Sequence, residues 1–201
     1  MNDRPMKYVS GFSLCLAFLF AVVLAAFAEQ RVEEKDTNGD GKIDEWRTYD
    51  GKVPIRMERD LDGDGKKELV VFFEKGKPAR SEMDRNKDGK IDFLRLMKDG
   101  KPEKECADTN FDGKWDVWSY YKDGFKDLMM ADKNYDGKPD AWFYYSLGGT
   151  KLTGGRIDTD FDGKIDRSFG PAPEKEDRQP FEPPPFSEEK AGAAESKGKA
   201  K

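Results

Sequence analysis

Carboxylates are the side chains most able to do chemistry in this chain, and their spacing decides which chemistry. One nine-residue phrase occurs six times, starting at Asp36, Asp60, Asp84, Asp108, Asp132 and Asp158. Each copy reads Asp-x-(Asp/Asn)-x-Asp-Gly-Lys-x-(Asp/Glu). Calcium is a hard cation that takes about six to eight oxygen ligands, and a loop wrapped round it offers side chains from alternate positions. Positions 1, 3, 5 and 9 supply Asp36, Asn38, Asp40 and Asp44 in the first copy. The second supplies Asp60, Asp62, Asp64 and Glu68, and the third Asp84, Asn86, Asp88 and Asp92. The fourth supplies Asp108, Asn110, Asp112 and Asp116, and the fifth Asp132, Asn134, Asp136 and Asp140. The sixth supplies Asp158, Asp160, Asp162 and Asp166. Glycine at position 6 allows the sharp turn, and the carbonyl of position 7 (Lys42, Lys66, Lys90, Lys114, Lys138, Lys164) is the backbone ligand.

Plain Asp-Gly turns are the alternative, since both are ordinary turn residues. Six copies that hold the ligand type at four positions go beyond what a turn requires. Twenty carboxylates crowd these positions in a chain of net charge −5, so they repel one another unless a cation lies among them. Up to six Ca2+ ions are expected. The second and fifth loops are expected to be weakest. Glu68 is one methylene longer than Asp, and Lys67 and Pro139 stand at position 8, where Ile43, Ile91, Trp115 and Ile165 are expected to pack inward.

The phrase resembles the loop of EF-hands, but only in the loop. An EF-hand needs a bidentate Glu at position 12 and flanking helices. Here position 12 holds Arg47, Val71, Arg95, Ser119, Phe143 and Phe169. With the closing carboxylate at position 9, the loops are similar to those of integrin-type β repeats and thrombospondin type 3 repeats. The former are longer than this repeat and the latter carry cysteines absent here, so the resemblance implies the ligands and neither fold. Without the position-12 Glu, the expected affinity suits an extracellular setting, on the order of 10⁻⁴–10⁻³ M.

The elements between loops must position them. Loop starts fall 24 residues apart, with two extra residues in the last interval within Gly148 to Gly155. An aromatic or branched run follows each of the first five loops: 46–49, 69–73, 93–97, 117–121 and 141–145. Such short runs read as strands. Turn signals follow at Asp50-Gly51, Lys75-Gly76, Asp99-Gly100 and Asp123-Gly124, and a more polar run leads into the next loop. The fold expected is all-β: an antiparallel meander of six tandem hairpin repeats of about 24 residues, with turns on one edge and calcium loops on the other. An elongated twisted sheet is preferred to a closed barrel. The rhythm of Trp, Tyr-Tyr and turn Gly also faintly resembles MORN-type hairpin repeats.

Both ends differ from the middle. Residues 1–28 read as a signal peptide: Arg4 and Lys7, an uncharged stretch from Tyr8, then Ala26-Phe27-Ala28 as a cleavage pattern. An uncleaved anchor is the alternative, the stretch being long enough to span a bilayer. Residues 29–170 form the repeat domain, and Cys106 is its one cysteine, so no intramolecular disulfide staples it. Residues 171–201 are rich in Pro, Glu and Lys and read as a disordered tail, with docking through Phe181 and Phe186 as the alternative.

These readings give an exported calcium-binding structural or interaction module, in the periplasm or outside the cell. A surface adhesin or glycan-binding module is the alternative, using an aromatic ladder of Trp46, Trp118, Trp142, Tyr121 and Tyr145 against a cell-surface protein or glycan. An enzyme is not expected: there is no His, and the carboxylates that could act as acid or base stand at ligand positions. An acidic chain is a poor match for nucleic acid, and membrane contact is expected only if the N-terminal segment stays uncleaved.

Overall fold

The computed structural model describes residues 30–171 and 178–183. The strands are β1 (Gln30–Lys35), β2 (Glu45–Asp50), β3 (Val53–Arg59), β4 (Leu69–Glu74), β5 (Lys77–Met83) and β6 (Phe93–Lys98). They continue as β7 (Lys101–Ala107), β8 (Val117–Lys122), β9 (Phe125–Ala131), β10 (Ala141–Tyr145), β11 (Leu152–Ile157) and β12 (Arg167–Phe169). All twelve form one antiparallel sheet in chain order, open at β1 and β12. The meander follows from the connections, since each strand is joined to the next by a link too short for a crossover. Six loops flank five hairpins, four with two-residue turns and the last, β10–β11, with the longer link 146–151, leaving β1 and β12 as single strands at the two ends.

Three of the hairpins turn on two residues of positive φ, such as Asp99 at 52° and Gly100 at 80°. That twist matches the flanking strands, which is why a two-residue loop suffices. Every hairpin then carries a register shift at the same place, after Thr48, Phe72, Leu96, Tyr120 and Tyr144. The extra residue is Ile55, Ala79, Glu103, Asp127 or Thr153. Pro54, Pro78 and Pro102 sit just before it, where pairing with the next hairpin has not yet begun. A residue without an amide donor is tolerated at such a place.

Alternation gives the sheet two faces. On one, Leu94, Cys106, Trp118, Met130 and Trp142 stand side by side across β6–β10. Leu94, Cys106, Trp118, Leu128, Met130 and Tyr144 form the buried cluster, joined by Trp115 and Phe181. Toward the N-terminus the same face turns ionic. Glu58 takes Arg56 at 2.8 Å and Lys67 at 3.2 Å, and Arg80 pairs with buried Glu82. The core therefore lies in the C-terminal half of the array.

Within the C-terminal stretch read from sequence as a disordered tail, Arg178–Pro183 lie against this face. The N-terminal segment and Phe186 fall outside the described residues.

Candidate metal loops

All six loops adopt one hydrogen-bonded form. Loop 1 (36–44) shows it: the Asp36 carboxylate accepts the Gly39 and Gly41 amides at 2.6 and 2.8 Å. Asn38 Oδ1 accepts the Asp40 amide, Asp40 accepts the Lys42 amide, and Asp44 accepts the Thr37 amide at 2.9 Å. The position-6 glycines have φ from 87° to 92° (Gly163, Gly137), as the turn requires. In every loop the position-7 lysine donates its amide to the position-5 aspartate, at 2.8–2.9 Å.

Position 9 is held from behind as well. The Asp44, Asp92, Asp116, Asp140 and Asp166 amides donate to the carbonyl of the residue just before their own loop. The carboxylates at positions 1 and 9 are buried in loops 2, 4 and 5, whereas those at positions 3 and 5 face solvent or are half-buried. A half-enclosed ring of oxygens open on one side is an arrangement suited to a hard cation.

The loops differ in how far their charges are already neutralised. Where position 3 is Asn, its amide donates to the position-5 carboxylate, as Asn86 does to Asp88 at 3.2 Å. Where it is Asp, no such donor exists, and in loop 2 the Lys87 ammonium of the next loop meets Asp62 instead. The two loops with Asp there are those whose carboxylates converge: Asp60, Asp62, Asp64 and Glu68 in loop 2, and Asp158, Asp160 and Asp166 in loop 6, with oxygens within 4.8 Å of one another. In loop 2 Glu68 is 4% exposed. One of its oxygens accepts the Leu61 amide at 2.8 Å, and the other, Oε1, is buried without a hydrogen-bond partner. An ionised oxygen in that position is costly unless a cation meets it. In loop 6 Asp160 accepts the Asp162 amide, which lowers its pKa. Burial and the Asp166, Asp162 and Asp158 carboxylates outweigh that bond and hold its pKa above the usual aspartate value.

A family model described as EF hand matches residues 81–94, which span loop 3 and the strand ends beside it. The loops fit calcium binding. The fit is one of loop chemistry, since the flanking elements are strands and the described residues contain no helix. No curated protein matches the chain. Among solved structures, one likeness is to accessory secretory protein 1, 2 and 3 in Streptococcus pneumoniae, at 12% identity and TM-score 0.36, covering 52% of this chain and 19% of that one. Another is to TarM, at 16% identity and TM-score 0.35, covering 60% of this chain and 20% of that one. The chain thus spans about a fifth of the length of these structures. At such scores neither likeness bears on what the chain does.

Three features escaped the sequence reading. Position 2 is a working position: Thr37, Thr109 and Thr159 give hydroxyl hydrogen bonds to the position-9 carboxylate, and Arg85 gives its guanidinium. Thr or Arg recurring there was the available signal. Second, consecutive loops are stitched together. The amide opening each of loops 2 to 6 donates to the position-9 carbonyl of the loop before, at 2.8–3.0 Å. Third, position 4 takes positive φ throughout, even where it holds Lys87, Phe111, Tyr135 or Phe161.

One expectation needs correction. Ile43, Ile91 and Ile165 do not pack inward. They are 39–43% exposed, and of the position-8 side chains Trp115, whose loop lies beside the buried cluster, is the one that packs on it. The aromatic residues, whose exposed ladder is the alternative reading, are mostly packed against the sheet. Trp118 is 3% exposed, Trp142 packs on the cluster, and Trp46 is half-buried with the Lys67 ammonium 4.7 Å from its ring. Tyr121 lies on the other face, hydrogen-bonded to Glu105, and Tyr145 is half-buried.

Proposed function

We propose that this chain is an exported, non-enzymatic scaffold whose sheet is held along one edge by calcium in up to six loops. The observation that carries the reading is Glu68 Oε1, a buried and unpartnered oxygen beside three further carboxylates. A bound Ca2+ would meet this oxygen directly, with Asp60, Asp62, Asp64 and Glu68 to hold it and the Lys87 ammonium displaced from Asp62. The other loops repeat the same spacing and hydrogen bonds. A structural part for the ion fits a fold with no disulfide among its described residues and a core confined to one half.

The non-enzymatic reading rests on the same residues. The carboxylates are tied to loop amides. The Cys106 thiol is fully buried, and burial, with Glu182 nearby, pushes it far up, so it is no nucleophile. Export rests on residues 1–28, with the periplasm or the cell exterior as the compartment.

The test is a calorimetric calcium titration of the mature chain with thermal midpoint followed in parallel and magnesium as control. Binding of several ions in the millimolar range or tighter, with a rise in midpoint that magnesium does not match, is expected. No binding at millimolar calcium by an already stable chain would reduce the six phrases to acidic turns.

A further inference from the structure

The segment Arg178–Pro183 does not join the sheet. It forms no strand, and the strands beneath it are fully paired without it. It is held instead by side chains, in a directional way. The Arg178 guanidinium meets Asp127 at 2.6 Å. Asp127 is the extra residue of the β9 bulge, a device that re-aims a side chain. The Tyr120 hydroxyl donates to the Gln179 carbonyl. Phe181 stands edge-on to Tyr120 with centroids 5.9 Å apart at 74°, and it caps the cluster that contains Cys106 and Leu94. The Lys104 ammonium lies 5.5 Å from the Tyr120 ring and 5.4 Å from the Phe181 ring. Glu182 follows, close enough to Cys106 to act on its thiol.

The groove thus has a polarity. An acid receives a basic side chain at one end, an aromatic seat lies in the middle, and a cation stands beside that seat. The segment Arg-Gln-Pro-Phe-Glu-Pro matches it in the same order. Pro180 and Pro183 cannot donate to a ladder, and they favour an extended form with little ordering entropy left to lose. Aromatic-lined grooves that take proline-flanked segments work in this way.

We propose that the face over β7–β9 is a peptide-docking groove, that Arg178–Pro183 is its resident ligand, and that its external partner is a protein bearing an extended basic-x-Pro-aromatic-acidic-Pro segment. The tether gives the resident segment an effective concentration in the millimolar range. A partner must therefore compete with it, and the groove is closed to weak ligands. This proposal is independent of the calcium reading, because none of the residues expected to hold calcium takes part in the seat.

The test uses the full mature chain at saturating calcium and a fluorescent capped peptide of sequence Arg-Gln-Pro-Phe-Glu-Pro. The double variant Arg178→Ala, Phe181→Ala empties the groove. Its peptide affinity, read by anisotropy, is expected to exceed that of the unaltered chain by at least about tenfold. A peptide with Ala in place of Phe is expected not to bind. No binding to a folded double variant, or equal binding to both chains, overturns the proposal. Should the double variant unfold, Arg178→Ala alone leaves Phe181 over the core. Peptide affinity above that of the unaltered chain then supports the groove, and unchanged affinity overturns it.

Discussion

The position-6 glycines and the residues at position 4 meet the same demand, positive φ, in different ways. Gly113 at 91° has nothing within 4 Å of where a Cβ would lie. Gly113→Ala therefore meets no clash, and its cost is that of the backbone conformation alone, about 1–2 kcal/mol. Thermal unfolding at saturating calcium measures it. Position 4 lies nearer the ordinary left-handed region, at 61° for Phe111, so side chains survive there. Glu68 is the residue that most nearly tests the metal itself. Glu68→Gln keeps the shape and the Leu61 hydrogen bond but removes the charge whose second oxygen is orphaned. The expected outcome is loss or at least tenfold weakening of one site in a calcium titration, with the remaining sites unchanged. From sequence, loop 2 is expected among the weakest because of that same Glu68 and of Lys67 beside it; the structure brings its four carboxylates together.

Strand pairs are held by two kinds of chemistry. On the face opposite the core, Glu105 accepts Arg95 at 2.9 Å and lies 3.4 Å from Lys126. Burial raises the Glu105 pKa, but Tyr121, Arg95 and Lys126 outweigh it and hold the carboxyl below its ordinary 4.5. A lowered folded pKa contributes stability that is full above the unfolded value and is lost as pH falls through the folded one. The midpoint should therefore fall with acidification below about pH 4.5, and Glu105→Gln should flatten that limb while costing about 1–3 kcal/mol at neutral pH. Midpoints of both chains across pH 3–7 decide it. On the core face, Leu128 is fully buried between Tyr120 and Tyr144. Leu128→Ala should cost about 2–5 kcal/mol by transfer and cavity terms, read by denaturant unfolding. The strands themselves were legible: the runs read at 69–73, 93–97 and 117–121 are β4, β6 and β8 to within a residue. The bulges were not, although proline just past three of the turns was a signal for them.

Across the whole molecule the array is unequal along its length. Apolar burial gathers in β6–β10, while β1–β5 rely on ion pairs and on loops 1 and 2. Each repeat contacts chiefly its neighbours, so stability is local and neighbouring interfaces couple it. Chelation of calcium should therefore strip amide-exchange protection from β1–β5 first, with β6–β10 persisting longer; uniform loss would show the array to be one cooperative unit. The loop-to-loop hydrogen bonds give the coupling a route, since each joins the last ligand residue of one loop to the first of the next. The open ends are guarded. β1 is exposed and charged, and β12 has three residues, so neither offers a long apolar edge for another chain.

Chemistry that acts within a few residues was determined by the sequence itself. Loop spacing closes over nine positions and four of the hairpin turns over two, so the loops, those turns, the strand runs after the first five loops and the meander order followed from the 24-residue period, while the end strands β1 and β12 did not. Only the tertiary structure decided what depends on residues far apart. Which face became the core was open, because both faces mix polar and apolar positions. The stitches join residues 16 or 18 apart, and the Tyr120–Gln179 contact joins residues 59 apart. The register of one strand on the next sets such contacts, and no local pattern encodes it.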